Sequence, residues 1–252
     1  MSTPSLGLQL YTARNADLGL EALLGKVAEA GYHGVETVGT QGVEPARLRA
    51  ALEHTGLALA SAHVPLSDLR ADLNALAATH RALGTPLLVV PWLTPADRPG
   101  ELDGWTALGR ELDGYGRALA AEGLALAYHH HDFELEQHAG GDGLSALLEA
   151  AAAEHLTLEL DTGWLLAVGQ DPSEWLTRWG PRVTRVHLKD LVRGNDPPWV
   201  DVGDGELDLS GVLAAARDND LPWLLVEHDS PNDPLTTLQR SATAALEALR
   251  LH

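Results

Sequence analysis

The chain has 252 residues, with 17 lysines and arginines against 36 aspartates and glutamates, and no cysteine. A net charge of −19 disfavours DNA and anionic lipid, both of which are held by basic residues. Without cysteine there is no disulfide, thiolate zinc site or cysteine nucleophile, so any metal must be held by imidazoles and carboxylates.

Hydrophobic residues make up 45% of the chain and charged residues 21%, enough apolar surface for a packed core and unlike a disordered segment. The opening MSTPSLGLQLYTAR has neither the basic start nor the apolar run of a leader, and no stretch approaches the ~18 apolar residues of a membrane span. A soluble cytoplasmic protein is expected. Strand-like runs fall at 6–10, 33–38, 58–63, 86–91, 124–129, 156–161, 184–188 and 222–227. Helical periodicity fills 18–30, 45–55, 68–83, 103–122, 143–153, 172–179, 209–219 and 235–250, with Gly31, Gly56, Gly84 and Gly123 at helix stops. Eight units in 252 residues give about 31 residues each, close to the ~30 of a βαβ step. With no linker or change of composition, residues 1–252 are expected to form a single (β/α)8 TIM barrel. A doubly wound sheet would carry G-x-G-x-x-G after its first strand, where this chain has ARNADLGL. The long gaps at 92–123 and 189–221 contain Pro95, Pro99, Pro197 and Pro198 and are assigned to the active-site face.

In a barrel, alternate strand residues face the axis, and chemistry sits at the carboxyl ends of the strands. Thr157, Glu159 and Asp161 then point inward, while Leu156, Leu158 and Leu160 meet the helices. His187 shares its side with Arg185 and Lys189, and His63 with Leu59 and Ser61. His129 and His131 share the side of Ala125 and Ala127, opposite Tyr128 and His130. Glu36 lies near the end of the second strand; Glu227 ends the eighth, with His228 and Asp229 behind it. Glu36, His63, His129, His131, Asp161, His187 and Glu227 are thus expected around one mouth. Inward charges at Asp161, His187 and Glu227 are expensive to bury unless they share a cation. His33, His54, His80, His138, His155 and His252 read as surface or helix-borne. A mixed carboxylate–imidazole site suits one divalent ion, Mn²⁺, Zn²⁺, Co²⁺ or Mg²⁺. Such an ion stabilises the enediolate of a hydroxy-ketone while a neighbouring carboxylate or imidazole moves the α-proton. An isomerase needs one base, and an epimerase needs two on opposite faces.

The segments GLQLYTAR at 7–14, YHHHDFELE at 128–136, LELDTGWL at 158–165, VHLKDL at 186–191, VGDGELDLSGVL at 202–213 and VEHD at 226–229 span nearly the whole chain. Together they resemble the sugar phosphate isomerase/epimerase group of the xylose-isomerase-like barrel superfamily. The resemblance implies a divalent metal held by a glutamate after strand five and by Asp161, His187 and Glu227. The fifth strand departs from the usual pattern: either His129 takes the ligand position, or Glu134 folds back from the loop. Glu134 is the preferred ligand, with His129 and His131 as site-facing groups. Glu227 resembles the ligand that doubles as acid/base, its counterpart being Glu134 or His131. His63, His129, Lys189, Trp164 and Glu36 are the expected substrate contacts. Lys189, one of two lysines with Lys26, reads equally as a rim cation that binds a carbonyl or hydroxyl and as a surface residue. Trp92, Trp164 and Trp199 could stack on a sugar, and Arg14 could contact substrate or cap a helix.

The loop after strand seven offers Lys189, Arg193 and a Gly203-Asp204-Gly205 turn, whereas HDSPND after strand eight is acidic. An unphosphorylated ketose or keto-polyol is therefore favoured over a phosphorylated one. The expected activity is metal-dependent sugar isomerisation or epimerisation. A keto-inositol or keto-sugar dehydratase would use the same enediolate and expel a β-hydroxyl. Of other classes, an abasic-site endonuclease relative would need three metals and a basic groove, which the charge opposes; a metal-free binding protein would carry no ion at all. The expected partner is a small sugar or polyol, without nucleic acid or membrane, and the barrel helices offer surfaces for a homo-oligomer.

Overall fold

The computed structural model describes residues 3–251, so His252 lies outside the described residues. Eight parallel strands close into a ring: Ser5–Gln9 (β1), Gly34–Val38 (β2), Ala58–His63 (β3), Leu87–Val90 (β4), Ala125–His129 (β5), Thr157–Asp161 (β6), Val183–Leu188 (β7) and Trp223–Val226 (β8). Each strand pairs with its neighbours in sequence, and β1 closes on β8 from Ser5 opposite Trp223 to Leu8 opposite Val226. The outer helices are Leu20–Glu29 (α1), Pro45–Thr55 (α2), Leu66–Leu83 (α3), Leu102–Ala121 (α4), Gly143–Glu149 (α5), Thr162–Ala167 (α6), Pro172–Trp179 (α7), Leu209–Asp218 (α8) and Pro234–Leu251 (α9). This is the expected (β/α)8 barrel. Among the described residues, no helix is long and apolar enough to cross a membrane.

Local chemistry explains the boundaries. Asp142, Asp161, Asp171 and Asp208 each cap a helix by accepting a backbone N–H of its first turn. Pro45 and Pro172 occupy first helical positions, where a missing N–H is harmless. Within α3, Asp72 leaves the helical conformation and its Oδ1 accepts the N–H of Ala75 at 2.9 Å, so the segment restarts there. The α6 turn was not expected as a helix: six residues are too few to display a helical period. Helix α4 lies unusually close to the segment around α5. A Cβ on Gly109 would stand 2.2 Å from the Leu147 carbonyl oxygen, and one on Gly116 would stand 1.9 Å from that of His155.

Two interiors result. Leu156, Leu158 and Leu160 join the apolar layer between strands and helices, as their alternation requires. Inside the ring, apolar packing is sparse, with Leu87, Val89 and Ala127 clustered and Leu225 level with His187. The remaining inward positions carry buried Gln9, Glu36, Ser61, His63, Glu159, Arg185 and His187. Strand register slips by one residue at two places, opposite Glu36, where Ala60 is extra, and opposite Glu159, where Thr184 is extra. Such bulges free carbonyls and re-aim side chains. Arg185 satisfies both: its guanidinium donates to the Ala60 oxygen at 2.6 Å and to the Thr184 oxygen at 2.7 Å.

Candidate active site

The carboxyl ends of β5 to β8 bring four donor groups together. Ligand-type atoms of His129, Asp161, His187 and Glu227 all lie within 4.8 Å of one another, and all four residues are buried. Asp161 is aimed by its place at a strand-to-helix junction. Its Oδ1 caps α6 by accepting the Trp164 N–H at 2.9 Å, and its backbone N–H donates to His130 Nε2 at 3.0 Å. Its Oδ2 has no hydrogen-bond partner although it is fully buried. Lys189 Nζ lies 3.3 Å from that oxygen, and the nearest nitrogens of His129 and His187 lie at 3.9 Å. Glu227 Oε2 meets His187 Nδ1 at 2.9 Å and Lys189 Nζ at 3.0 Å.

A second group of donors, His63, His129, Glu159 and His187, lies directly beneath. The two share His129 and His187 and differ in their carboxylates. In the lower group, Glu36 and Glu159 face Arg185 and His63. Burial lowers the His63 pKa, but Glu36 and Glu159 outweigh it and raise the ring to about 10, so two anions meet two cations. In the upper group, Asp161, Glu227 and Asp229 surround a single ammonium, that of Lys189, which is 3.0 Å from Asp229 Oδ1. The His187 imidazole, which burial lowers but Glu159, Glu227 and Glu36 hold well above its usual pKa, is shared between the two groups. Two imidazoles and two carboxylates, one with an orphaned oxygen, form a donor set suited to Mn²⁺, Zn²⁺ or Co²⁺. The upper residues therefore fit a divalent metal.

Burial pushes the Asp161 carboxyl up to about 6, against the pull of Lys189 and His187. Burial also raises Glu227, but Lys189 and His187 outweigh it and hold that carboxyl well below its usual range. The lower carboxylates grip the remote nitrogens of the imidazoles. Glu159 Oε2 accepts from His63 Nε2 at 2.9 Å, from His129 Nδ1 at 3.2 Å and from His187 Nε2 at 3.0 Å. Glu36 Oε2 accepts from His187 Nε2 at 2.8 Å, and its Oε1 accepts from Ser61 at 2.5 Å. Carboxylates placed this way fix the orientation of metal-binding histidines. Glu159 was read from the sequence as inward-facing, but its hold on three rings was not foreseen.

Glu134, the preferred strand-five ligand, lies outside the cluster, and His129, the alternative, lies within it. Strand alternation decides this. Tyr128 points outward from β5, and its hydroxyl donates to Glu134 Oε1 at 2.7 Å, while the His131 N–H donates to Oε2 at 2.8 Å. The carboxylate is committed to those donors, away from His129. Of the two expected counterparts of Glu227, His131 lines the cavity and Glu134 does not.

That cavity, about 600 Å³, opens above the cluster. His63, His129 and Trp164 reach its wall as expected, and Trp92 and Arg98 join them from the loop after β4. Glu36 and Lys189 do not: Glu36 is fully buried beneath His187, and Lys189, 1% exposed, is occupied by three carboxylates. Trp164 and Trp199 pack edge to face, 4.7 Å between centroids, with Lys189 Nζ 5.3 and 5.1 Å from their rings. Arg14 donates to the carbonyls of Tyr11 and Asp229 and lies over the Tyr11 ring. The Gly203–Gly205 turn offers no phosphate cradle, because its N–H groups already donate to Asp190 at 3.0 and 3.1 Å. Of the histidines read as bland, His33 and His54 are exposed, while His80 is helix-borne but buried against Thr85.

A family model described as xylose isomerase-like TIM barrel matches residues 24–251. Among characterised proteins, the chain is 28% identical to the rhizopine catabolism protein MocC of Rhizobium meliloti, over 91% of this chain and 83% of that one. It is 25% identical to an inosose dehydratase of Clostridium botulinum, over 82% and 81%. A crystal structure of a sugar phosphate isomerase/epimerase from Parabacteroides distasonis superimposes with a TM-score of 0.85 at 20% identity, covering 99% of this chain and 96% of that one.

Proposed function

Because the chain belongs to the xylose isomerase-like TIM barrel family, we propose that it is a divalent-metal-dependent enzyme that moves a proton beside the carbonyl of a ketose or keto-polyol. The convergence of His129, Asp161, His187 and Glu227 beneath the cavity, with the orphaned Asp161 Oδ2 among them, carries this reading. A bound divalent ion would supply Lewis-acid polarisation of the carbonyl oxygen. The chain's own residues supply the rest. Glu36 and Glu159 hold the His129 and His187 rings in place, and Lys189 keeps Glu227 ionised and able to accept a proton. Glu227 and His131 both border the cavity, so a proton taken at one can be returned from the other. Burial and Lys189 hold the His131 imidazole neutral, and its Nδ1 has no protein partner. Trp92, Phe133 and Trp164 wall the space against water and offer rings for the C–H face of a sugar.

Isomerisation or epimerisation is the first reading. Dehydration is the second, supported by the similarity to an inosose dehydratase and by the pair Glu227 and His131, one to remove the α-proton and one to protonate a leaving hydroxyl. Metal analysis of the purified protein, joined to incubation with ketoses, keto-inositols and 3-keto sugars in D₂O, tests the proposal. A stoichiometric divalent ion and solvent deuterium on the carbon beside the carbonyl are expected. Loss of water from the product mass selects dehydration. Bound metal without exchange on any substrate sinks proton transfer, and absence of metal together with an unaffected Asp161→Asn variant sinks the metal site.

A further inference from the structure

One cation on the cavity wall has no ion-pair partner among the described residues. Arg98 follows the Pro95-containing turn after β4 and borders the cavity. Neighbouring arginines are engaged: Arg70 pairs with Asp97 and Glu111, and Arg193 pairs with Glu206. Arg98 is instead held by its edge and face. Its Nε donates to the Leu93 carbonyl at 3.1 Å, and its guanidinium carbon lies 3.7 Å from the Phe133 ring centre and 5.0 Å from that of Trp92. This clamp fixes the plane of the fork and leaves both terminal nitrogens unused. An arginine whose plane is fixed in advance loses less entropy on binding than a free one.

A ladder of rings connects Arg98 to the carboxylate–imidazole cluster. His129 meets His131 edge to face at 5.0 Å, His131 stacks on Phe133 at 5.7 Å, and Phe133 carries the guanidinium. Arg98 thus stands at the far end of one wall, two rings away from His129, where it can meet the end of a substrate remote from its carbonyl. We propose that Arg98 is a specificity-determining residue that binds a carboxylate at that remote end, so that the substrate is a keto-sugar acid. The claim rests on the cavity being the substrate site described above. A single planar fork matches a carboxylate with two parallel hydrogen bonds. A phosphoryl group, with three oxygens and nearly two charges, is commonly met by several donors, and the lining holds no second arginine or lysine. Asp132 and Asp229, which also line the cavity, disfavour the more highly charged group further.

The test uses three ligands that differ only at C6: fructose, fructuronate and fructose 6-phosphate. Binding to metal-replete protein is followed by calorimetry and by quenching of the cavity tryptophans, Trp92 and Trp164. Fructuronate is expected to bind at least ~10-fold tighter than fructose, the scale of a charge-assisted pair. Arg98→Gln should abolish that advantage, lowering fructuronate affinity at least ~10-fold while lowering fructose affinity much less. Arg98→Lys, which keeps the charge but not the fork, should lose part of it, and serves alone if Arg98→Gln does not fold. An equal affinity for fructose and fructuronate, or a fructuronate affinity unchanged in both variants, overturns the proposal. Tighter binding of fructose 6-phosphate overturns the choice of carboxylate. Arg98-dependent binding without deuterium exchange would strike the proposed reaction and leave this inference standing; exchange on neutral ketoses with no effect of Arg98 would do the reverse.

Discussion

Three consecutive histidines at the end of β5 do three different things because a strand alternates its side chains. His129 turns inward to the carboxylate–imidazole cluster, His130 turns outward to accept the Asp161 N–H, and His131 rises to the cavity wall. Burial lowers the His130 ring to about 4, so it stays neutral and its Nε2 remains an acceptor. Assignment of the ligand to His129 rather than Glu134 has a direct check. By metal titration, His129→Ala should lose affinity at least ~100-fold, beyond the usual effect of an outer-shell partner, while Glu134→Gln should bind metal as the parent does. Glu134 should instead appear in the pH dependence of stability. Burial pushes it from the usual 4.5 to about 7, against the donors Tyr128 and His131. A raised carboxyl pKa favours the fold while the group is protonated. The contribution is therefore full below pH 4.5 and disappears as pH rises through about 7. In metal-free protein, urea unfolding of parent and Glu134→Gln should thus diverge by about 3 kcal/mol across that window, the variant gaining with pH. Asp161, His187 and Glu227 were legible in the sequence because each ends a strand on a side set by alternation. Glu134 and Arg98 were not, since both lie in irregular segments where spacing says nothing about direction.

At the level of elements, the outer layer is tightest where α4 meets the chain around α5. Two glycines on one face of α4 let backbone approach backbone, and the carbonyls of Leu147 and His155 occupy the space a methyl group would need. Gly116→Ala should therefore destabilise the protein by about 1–3 kcal/mol, as overpacking does, despite the better helix propensity of alanine; denaturant midpoints of parent and variant would show it. Half-buried Gly114, with nothing within 4 Å of its added Cβ, is the control in which alanine should stabilise by up to ~1 kcal/mol. The eight strands and the main helices could be read from periodicity and from glycine stops. What could not be read was how closely α4 packs, because a glycine within a helix pattern signals weakness and not a neighbour. The short α6 escaped for the complementary reason, being made by the Asp161 cap more than by any repeat.

For the molecule as a whole, the arrangement of charge along the barrel axis matters more than the total of −19. The lower layer sets Glu36 and Glu159 against His63, Arg185 and the shared His187, and the upper layer gathers Asp161, Glu227 and Asp229 around Lys189. Removing Arg185 should therefore unbalance the scaffold and not the chemistry. Arg185→Met leaves two buried carboxylates short of a cation and two bulge carbonyls without a donor, a loss of about 3–5 kcal/mol. Guanidinium unfolding followed by tryptophan fluorescence would measure it. That same side chain also bears on how the barrel comes together. Ala60 lies on β3 and Arg185 on β7, four places apart in a ring of eight and 125 residues apart in sequence, so the guanidinium spans the ring's diameter. Neither half of the chain can close this tie alone, and a half-barrel would bury a charged group with nothing opposite. The two halves are thereby bound to appear and disappear together, as one cooperative unit.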